Sequence, residues 1–76
     1  MLQSRPLTVT QRKILHALGL FIATNGYSPS TRELAEITGL ASSSSVIYQL
    51  DKLQARGDVT RVPSLPRSVR LSGGWV

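Results

Sequence analysis

Seventy-six residues make one small domain, whose core needs compact helical packing because size alone buries too little surface. The chain has no cysteine, which excludes disulfides and thiolate metal sites and suits a cytoplasmic setting. Nine Lys or Arg against four Asp or Glu give a net charge of +5, a balance that favours polyanionic partners, nucleic acid before membrane surface or acidic protein.

Residues 1–7 read as a flexible arm closed by Arg5-Pro6, without the apolar run of a signal segment. A first helix is expected from Thr8-Val9-Thr10-Gln11, a capping box in which the Thr8 hydroxyl and the Gln11 side chain satisfy each other's backbone amides. Ile14, Leu15, Leu18, Phe21 and Ile22 follow at helical spacing, and Asn25-Gly26 supplies the stop. The most apolar stretch, Ile14 to Ala23, contains His16 and Gly19 and is far too short to cross a bilayer, so no membrane partner is expected.

Tyr27-Ser28-Pro29 connects to a second capping box, Ser30-Thr31-Arg32-Glu33, ahead of Leu34, Ala35 and Ile37. Gly39 ends this short helix. Four serines then run from Ser42 to Ser45. Such a run often marks a flexible linker. Here Val46, Leu50 and Leu53 recur beyond it at spacings of four and three, and Gly57 supplies a stop. Ser42 is therefore read as the N-cap of a third helix reaching about Arg56.

After Gly57 the pattern alternates. Val59-Thr60-Arg61-Val62 and Val69-Arg70-Leu71 read as two short strands joined through Pro63-Ser64-Leu65-Pro66. The expected fold is mostly α with a small β-hairpin, a three-helix winged helix-turn-helix over residues 8–71, and residues 72–76 form a tail. Ala35 and Gly39, four apart, suit the close packing and sharp turn of that motif. Val46 and Leu50 are expected to bury against Leu34, Ile37 and Leu18.

In this fold the third helix presents its first turn to base edges and phosphates in a major groove of double-stranded DNA. Ser42 caps; Ser43, Ser44 and Ser45 allow close approach and offer hydroxyls that donate or accept. One turn further, Ile47, Tyr48 and Gln49 include outward positions, Gln49 being suited to adenine and the other two to a thymine methyl. Thr31 and Arg32 stand at the start of the second helix and Lys52 further along the third, all suited to phosphates. Arg67, after the wing turn, is the wing residue expected to reach the DNA, while Arg61 and Arg70 are expected on a solvated sheet face and Arg56 at the third helix's C-terminus.

Catalysis is not expected. There is one His, Glu33 and Glu36 sit three apart on one solvated helix face, and neither a phosphate-binding glycine loop nor metal-ligand spacing is present. No cofactor or metal is called for. The competing reading is a protein-interaction module on the same scaffold, binding a transcription regulator or RNA polymerase, with Trp75 in the tail as its anchor.

Leu7-Thr8 through Gln11, Gly26-Tyr27-Ser28-Pro29-Ser30 with Arg32-Glu33, and Gly39-Leu40-Ala41-Ser42-Ser43-Ser44-Ser45-Val46 resemble the N-terminal domain of LexA-type repressors, and Leu50, Leu53, Gly57 and Pro66-Arg67 continue the likeness. The resemblance covers about residues 7–71. It implies a cytoplasmic, SOS-type transcription repressor that reads a palindromic operator, with contacts from Ser42, Ser44, Ser45, Ile47, Tyr48, Gln49 and, in the wing, Arg67. Ile47 and Tyr48 depart from the residues usual at their positions, and Asp58 stands where the family has an apolar or aromatic residue. The family's second domain, which carries a serine–lysine dyad for self-cleavage and also dimerises, is not expected within these 76 residues. One copy is accordingly expected on one half-site, with two copies meeting on a palindrome as a weak homodimer.

Overall fold

The computed structural model of the protein describes residues 7–72, so Met1–Pro6 and Gly73–Val76, which hold most of the expected arm and the Trp75 tail, lie outside the described residues. Three helices come first, α1 (Val9–Asn25), α2 (Thr31–Thr38) and α3 (Ser43–Arg56), followed by strands β1 (Val59–Thr60) and β2 (Arg70–Leu71). The strands pair antiparallel, with Val59 opposite Leu71 and Thr60 opposite Arg70.

Local chemistry sets the helix ends. Thr8 Oγ1 accepts from the Gln11 amide at 3.0 Å, and Gln11 Oε1 accepts from the Thr8 amide at 3.1 Å. Ser30 and Glu33 repeat the exchange at the start of α2, at 3.1 and 2.9 Å. Ser42 Oγ accepts from the Ser45 amide at 3.4 Å, so the serine run is the first turn of α3 and no linker. At the end of α2, Gly39 adopts φ 77°, a left-handed conformation that costs glycine no Cβ clash. That residue turns the chain so that the Leu40 amide donates back to the Ala35 carbonyl at 3.0 Å, ahead of the start of α3.

The core lies where the helices and hairpin converge. Ile14, Leu18, Leu34, Val46, Leu50, Leu53 and Val59 have no solvent exposure, and Leu15, Ala17, Ala35 and Val69 complete the cluster. Leu7, Ile22, Leu40 and Leu71 pack at its edge. Gly19 faces β2, where a Cβ would stand 3.4 Å from Leu71 Cδ1, at ordinary contact distance. Ser28, buried under the hairpin, donates its hydroxyl to the Val69 carbonyl and ties the α1–α2 connector to the residue that leads into the second strand.

Three expectations require correction. Ile37 is not in the core but 53% exposed. Leu34, Ala35 and Thr38 form the buried stripe of α2, and Ile37 lies roughly 110° around the helix from its centre. The strands are shorter than their alternation suggested, because the Ser68 hydroxyl occupies both backbone positions of Val62, accepting from its amide and donating to its carbonyl at 2.9 Å each. Arg61 does not extend over a solvated sheet face: its side chain is only 11% exposed and bends to Asp51 on α3, with Nη2 to Oδ1 at 3.2 Å. Arg70 is exposed. Asp58 is accommodated within the fold by an ion pair, its Oδ2 accepting from Arg56 Nε at 2.7 Å.

Candidate nucleic-acid interface

The exposed first half of α3 is flanked by two shallow concavities. One is lined by Arg32, Ala35, Glu36, Leu40, Ala41, Ser42 and Ser43, and so joins the start of α2 to the turn and the cap of α3. The other gathers Ser44, Ser45, Tyr48 and Gln49 with Thr10 of α1 and with Leu40, which both concavities share. Eight of the eleven residues singled out from sequence line or close on this face: Arg32, the four serines, Tyr48, Gln49 and, through Tyr48, Lys52.

Geometry explains how the face is kept open. Val46, Leu50 and Leu53 point into the core, which turns Ser44 and Tyr48 outward on the opposite side of α3. Ser43 and Ser45 are half-buried, as is Ile47 beside the core stripe. The backbone amides of the first turn have no acceptor within the helix, so this end carries partial positive charge. Tyr48 is 58% exposed, and Lys52 Nζ lies 5.0 Å from the centre of its ring, one turn along. The contact holds the ammonium over the same face. Thr31, the first residue of α2, is half-buried.

Arg67 has a different setting. Its backbone is left-handed, with φ 57°, and its guanidinium turns back onto the body of the domain. Nη1 donates to Glu33 Oε1 at 2.7 Å and to the Ser28 carbonyl at 3.1 Å, and Nη2 donates to Glu33 Oε2 at 3.1 Å. The same guanidinium lies 5.0 Å from the Tyr27 ring centre, and Tyr27 meets Phe21 edge-on at 5.7 Å. Arg67 therefore clamps the wing turn to the N-terminus of α2, the end that carries Thr31 and Arg32.

That clamp is titratable. The Arg67 hydrogen bonds, and next the Ser30 amide, hold the Glu33 carboxyl below its ordinary pKa, and Glu33 in turn raises that of Arg67. A carboxylate whose folded-state pKa is lowered stabilises the fold above its unfolded value and loses that contribution as pH falls through the folded one. Thermal stability is expected to drop from about pH 6 to about pH 3 in the native chain, and to drop less in Glu33→Gln, which keeps the capping box but has no charge to lose. Equal acid losses in the two chains, measured by circular dichroism melts, would show that the clamp contributes nothing.

Sequence reasoning missed two residues at this face. Thr10 and Gln11 belong to α1, yet Thr10 lines the concavity with Tyr48, and Gln11 Nε2 donates to Gln49 Oε1 at 3.4 Å. Gln11 was legible as a cap residue, but its neighbour 38 positions away was not. Among the described residues no group of three or more His, Cys, Asp or Glu is arranged to hold a metal ion, and no helix is long and apolar enough to cross a membrane.

Three helices with a turn between the second and third, closed by a two-stranded hairpin, define a winged helix-turn-helix domain. Residues 4–68 match the family of the LexA DNA binding domain. The chain belongs to that family. It is 42% identical over 72 residues to LexA repressor 2 of Nocardia farcinica, covering 95% of this chain and 30% of that protein. It is 43% identical over 67 residues to the LexA repressor of Mycobacterium leprae, covering 88% of this chain and 28% of that one. With the LexA repressor of an Arthrobacter species the identity is 45% over 65 residues, 86% of this chain and 26% of the relative. The chain thus spans less than a third of the length of these relatives.

Proposed function

We propose that the chain is a sequence-specific, repressor-type transcription regulator of the cytoplasm that acts by binding DNA and carries out no catalysis. One observation carries the reading: the serine-rich first turn of α3 is capped and open to solvent, with Arg32 beside its cap and Lys52 over Tyr48 further along the helix, on a domain of net charge +5. An open helix N-terminus with small hydroxyl side chains lets backbone and side chains approach base edges, and the flanking cations neutralise phosphates. In this reading Ser42, Ser43, Ser44, Ser45, Ile47, Tyr48 and Gln49 face the major groove, while Thr31, Arg32 and Lys52 contact backbone. Arg67 reaches the duplex only through the edge it leaves exposed beside Glu33, and its main contribution is to fix the wing.

The relatives carry the name LexA repressor, and the resemblance to that family implies an SOS-type operator as the target. One copy occupies one half-site, and two copies occupy a palindrome as a weak homodimer. The test is fluorescence anisotropy with a LexA-type inverted repeat, its half-site and a scrambled duplex across a salt series. The operator is expected to bind at least about tenfold more tightly than the scrambled duplex, about 1.4 kcal/mol. Lys52→Ala is expected to weaken all three about equally and to reduce the log–log salt slope by about 1. Indifference to sequence at every salt concentration would overturn the reading.

A further inference from the structure

The hydrogen-bond chain from the α1 cap to α3 fixes which end of the Gln49 amide faces outward. The Thr8 backbone N–H can only donate, so the atom of Gln11 that meets it at 3.1 Å is the oxygen, Oε1. The other end of the Gln11 amide is then Nε2, a donor, and it meets Gln49 at 3.4 Å. A donor requires an acceptor, so Gln49 turns Oε1 inward. Its Nε2 is left on the other side, without an acceptor among the described residues, and Gln49 lines one concavity with Ser44, Ser45 and Tyr48. A free glutamine offers adenine one donor and one acceptor; this one has its acceptor turned inward onto Gln11.

We propose that Gln11 is a positioning residue that presents Gln49 to DNA as a hydrogen-bond donor alone, so that Gln49 selects base edges bearing acceptors. This rests on the reading that α3 enters the major groove. There guanine offers N7 and O6 and thymine O4, whereas cytosine offers only a donor, its N4 amino group. Gln49 therefore favours guanine or thymine over cytosine at the base it faces, and the preference is set from α1, by a residue whose local task is to cap a helix.

Gln11→Glu inverts the outward atom without removing the cap. Glutamate at this position of a capping box accepts from the Thr8 amide as glutamine does. Its second oxygen then meets Gln49, which must turn Nε2 inward and Oε1 outward. The added charge lowers affinity for every duplex alike, so the readout is the ratio between duplexes within one variant.

The experiment measures competition binding of the native chain, Gln49→Ala and Gln11→Glu with half-site duplexes in which each base pair is exchanged in turn, melts confirming that all three fold. Gln49→Ala is expected to abolish preference at one base pair. There the native chain favours guanine over cytosine by about fivefold, about 1 kcal/mol, and Gln11→Glu favours cytosine by a similar factor. An unchanged preference in Gln11→Glu, or no position lost in Gln49→Ala, overturns the inference while the operator preference of the native chain stands. A native chain that prefers no sequence overturns the α3 reading itself, and the inference with it.

Discussion

Leu50→Ala is expected to destabilise the domain by about 2–5 kcal/mol, the cost of removing a buried leucine and leaving a cavity behind. Leu50 has no solvent exposure and lies midway along α3, between Val46 and Leu53, in the cluster that α1, α2 and β1 share. A domain of this size holds roughly 4–11 kcal/mol in total. The substitution therefore consumes a large share of its stability, and a substantial unfolded fraction is expected on modest warming. Ile37→Ala is the control: its side chain is half-exposed on the far flank of α2, and the expected loss is about 1 kcal/mol or less. Urea denaturation followed by circular dichroism checks both. A loss below about 1 kcal/mol at Leu50 would mean that α3 does not depend on this core for its placement.

The second large effect separates binding from folding. Ser44→Asp places a carboxylate in the exposed first turn of α3. For the isolated domain this is neutral or favourable, since an acidic group near a helix N-terminus complements the partial positive charge by about 0.3–1 kcal/mol. Against DNA the same charge meets phosphates and the acceptor-rich groove, where like charges in close juxtaposition cost several kcal/mol. Operator affinity is expected to fall by about tenfold to several hundredfold while the melting temperature holds or rises. Anisotropy and a thermal melt on one preparation test the two halves together. Native-like operator binding in a folded Ser44→Asp would remove the first turn of α3 from the interface.

The order of elements and most of their ends were legible in the sequence because the chemistry that sets them is local. Thr8 with Gln11 and Ser30 with Glu33 are reciprocal pairs three residues apart, and both form as read. The serine run resolved into a helix start because the apolar period beyond it has a helical phase, which a linker has no reason to keep. The wing was less legible. Val62 has the residue type and parity of a strand, but a side chain from Ser68 takes the place of its backbone partner, and no alternation pattern records that.

At the candidate site, what the sequence could disclose was which residues are polar and outward on α3. What it could not disclose was pairing across the fold. Arg67 and Glu33 are 34 positions apart, Arg61 and Asp51 ten, and Gln11 and Gln49 38. Arg67 looked like a free wing cation because nothing near it in sequence could neutralise it; the partner comes from the N-terminus of α2. Arg61 was assigned to solvent for the same reason. The positive charge of the chain is thus less freely available than its total suggests, and Arg32 and Lys52 carry more of the electrostatic part of the proposed interface.

In the proposed function α3, entered from its serine-rich end, is the surface that meets DNA. The most direct measurement is a titration of the nitrogen-15-labelled protein with a half-site duplex, followed by amide NMR shifts. The largest changes are expected at Ser42–Gln49, at Thr31 and Arg32, and at Lys52. Shifts concentrated instead in the apolar groove between α1 and β2, around Arg12, His16, Leu20 and Arg70, would contradict the account and give that groove the binding role.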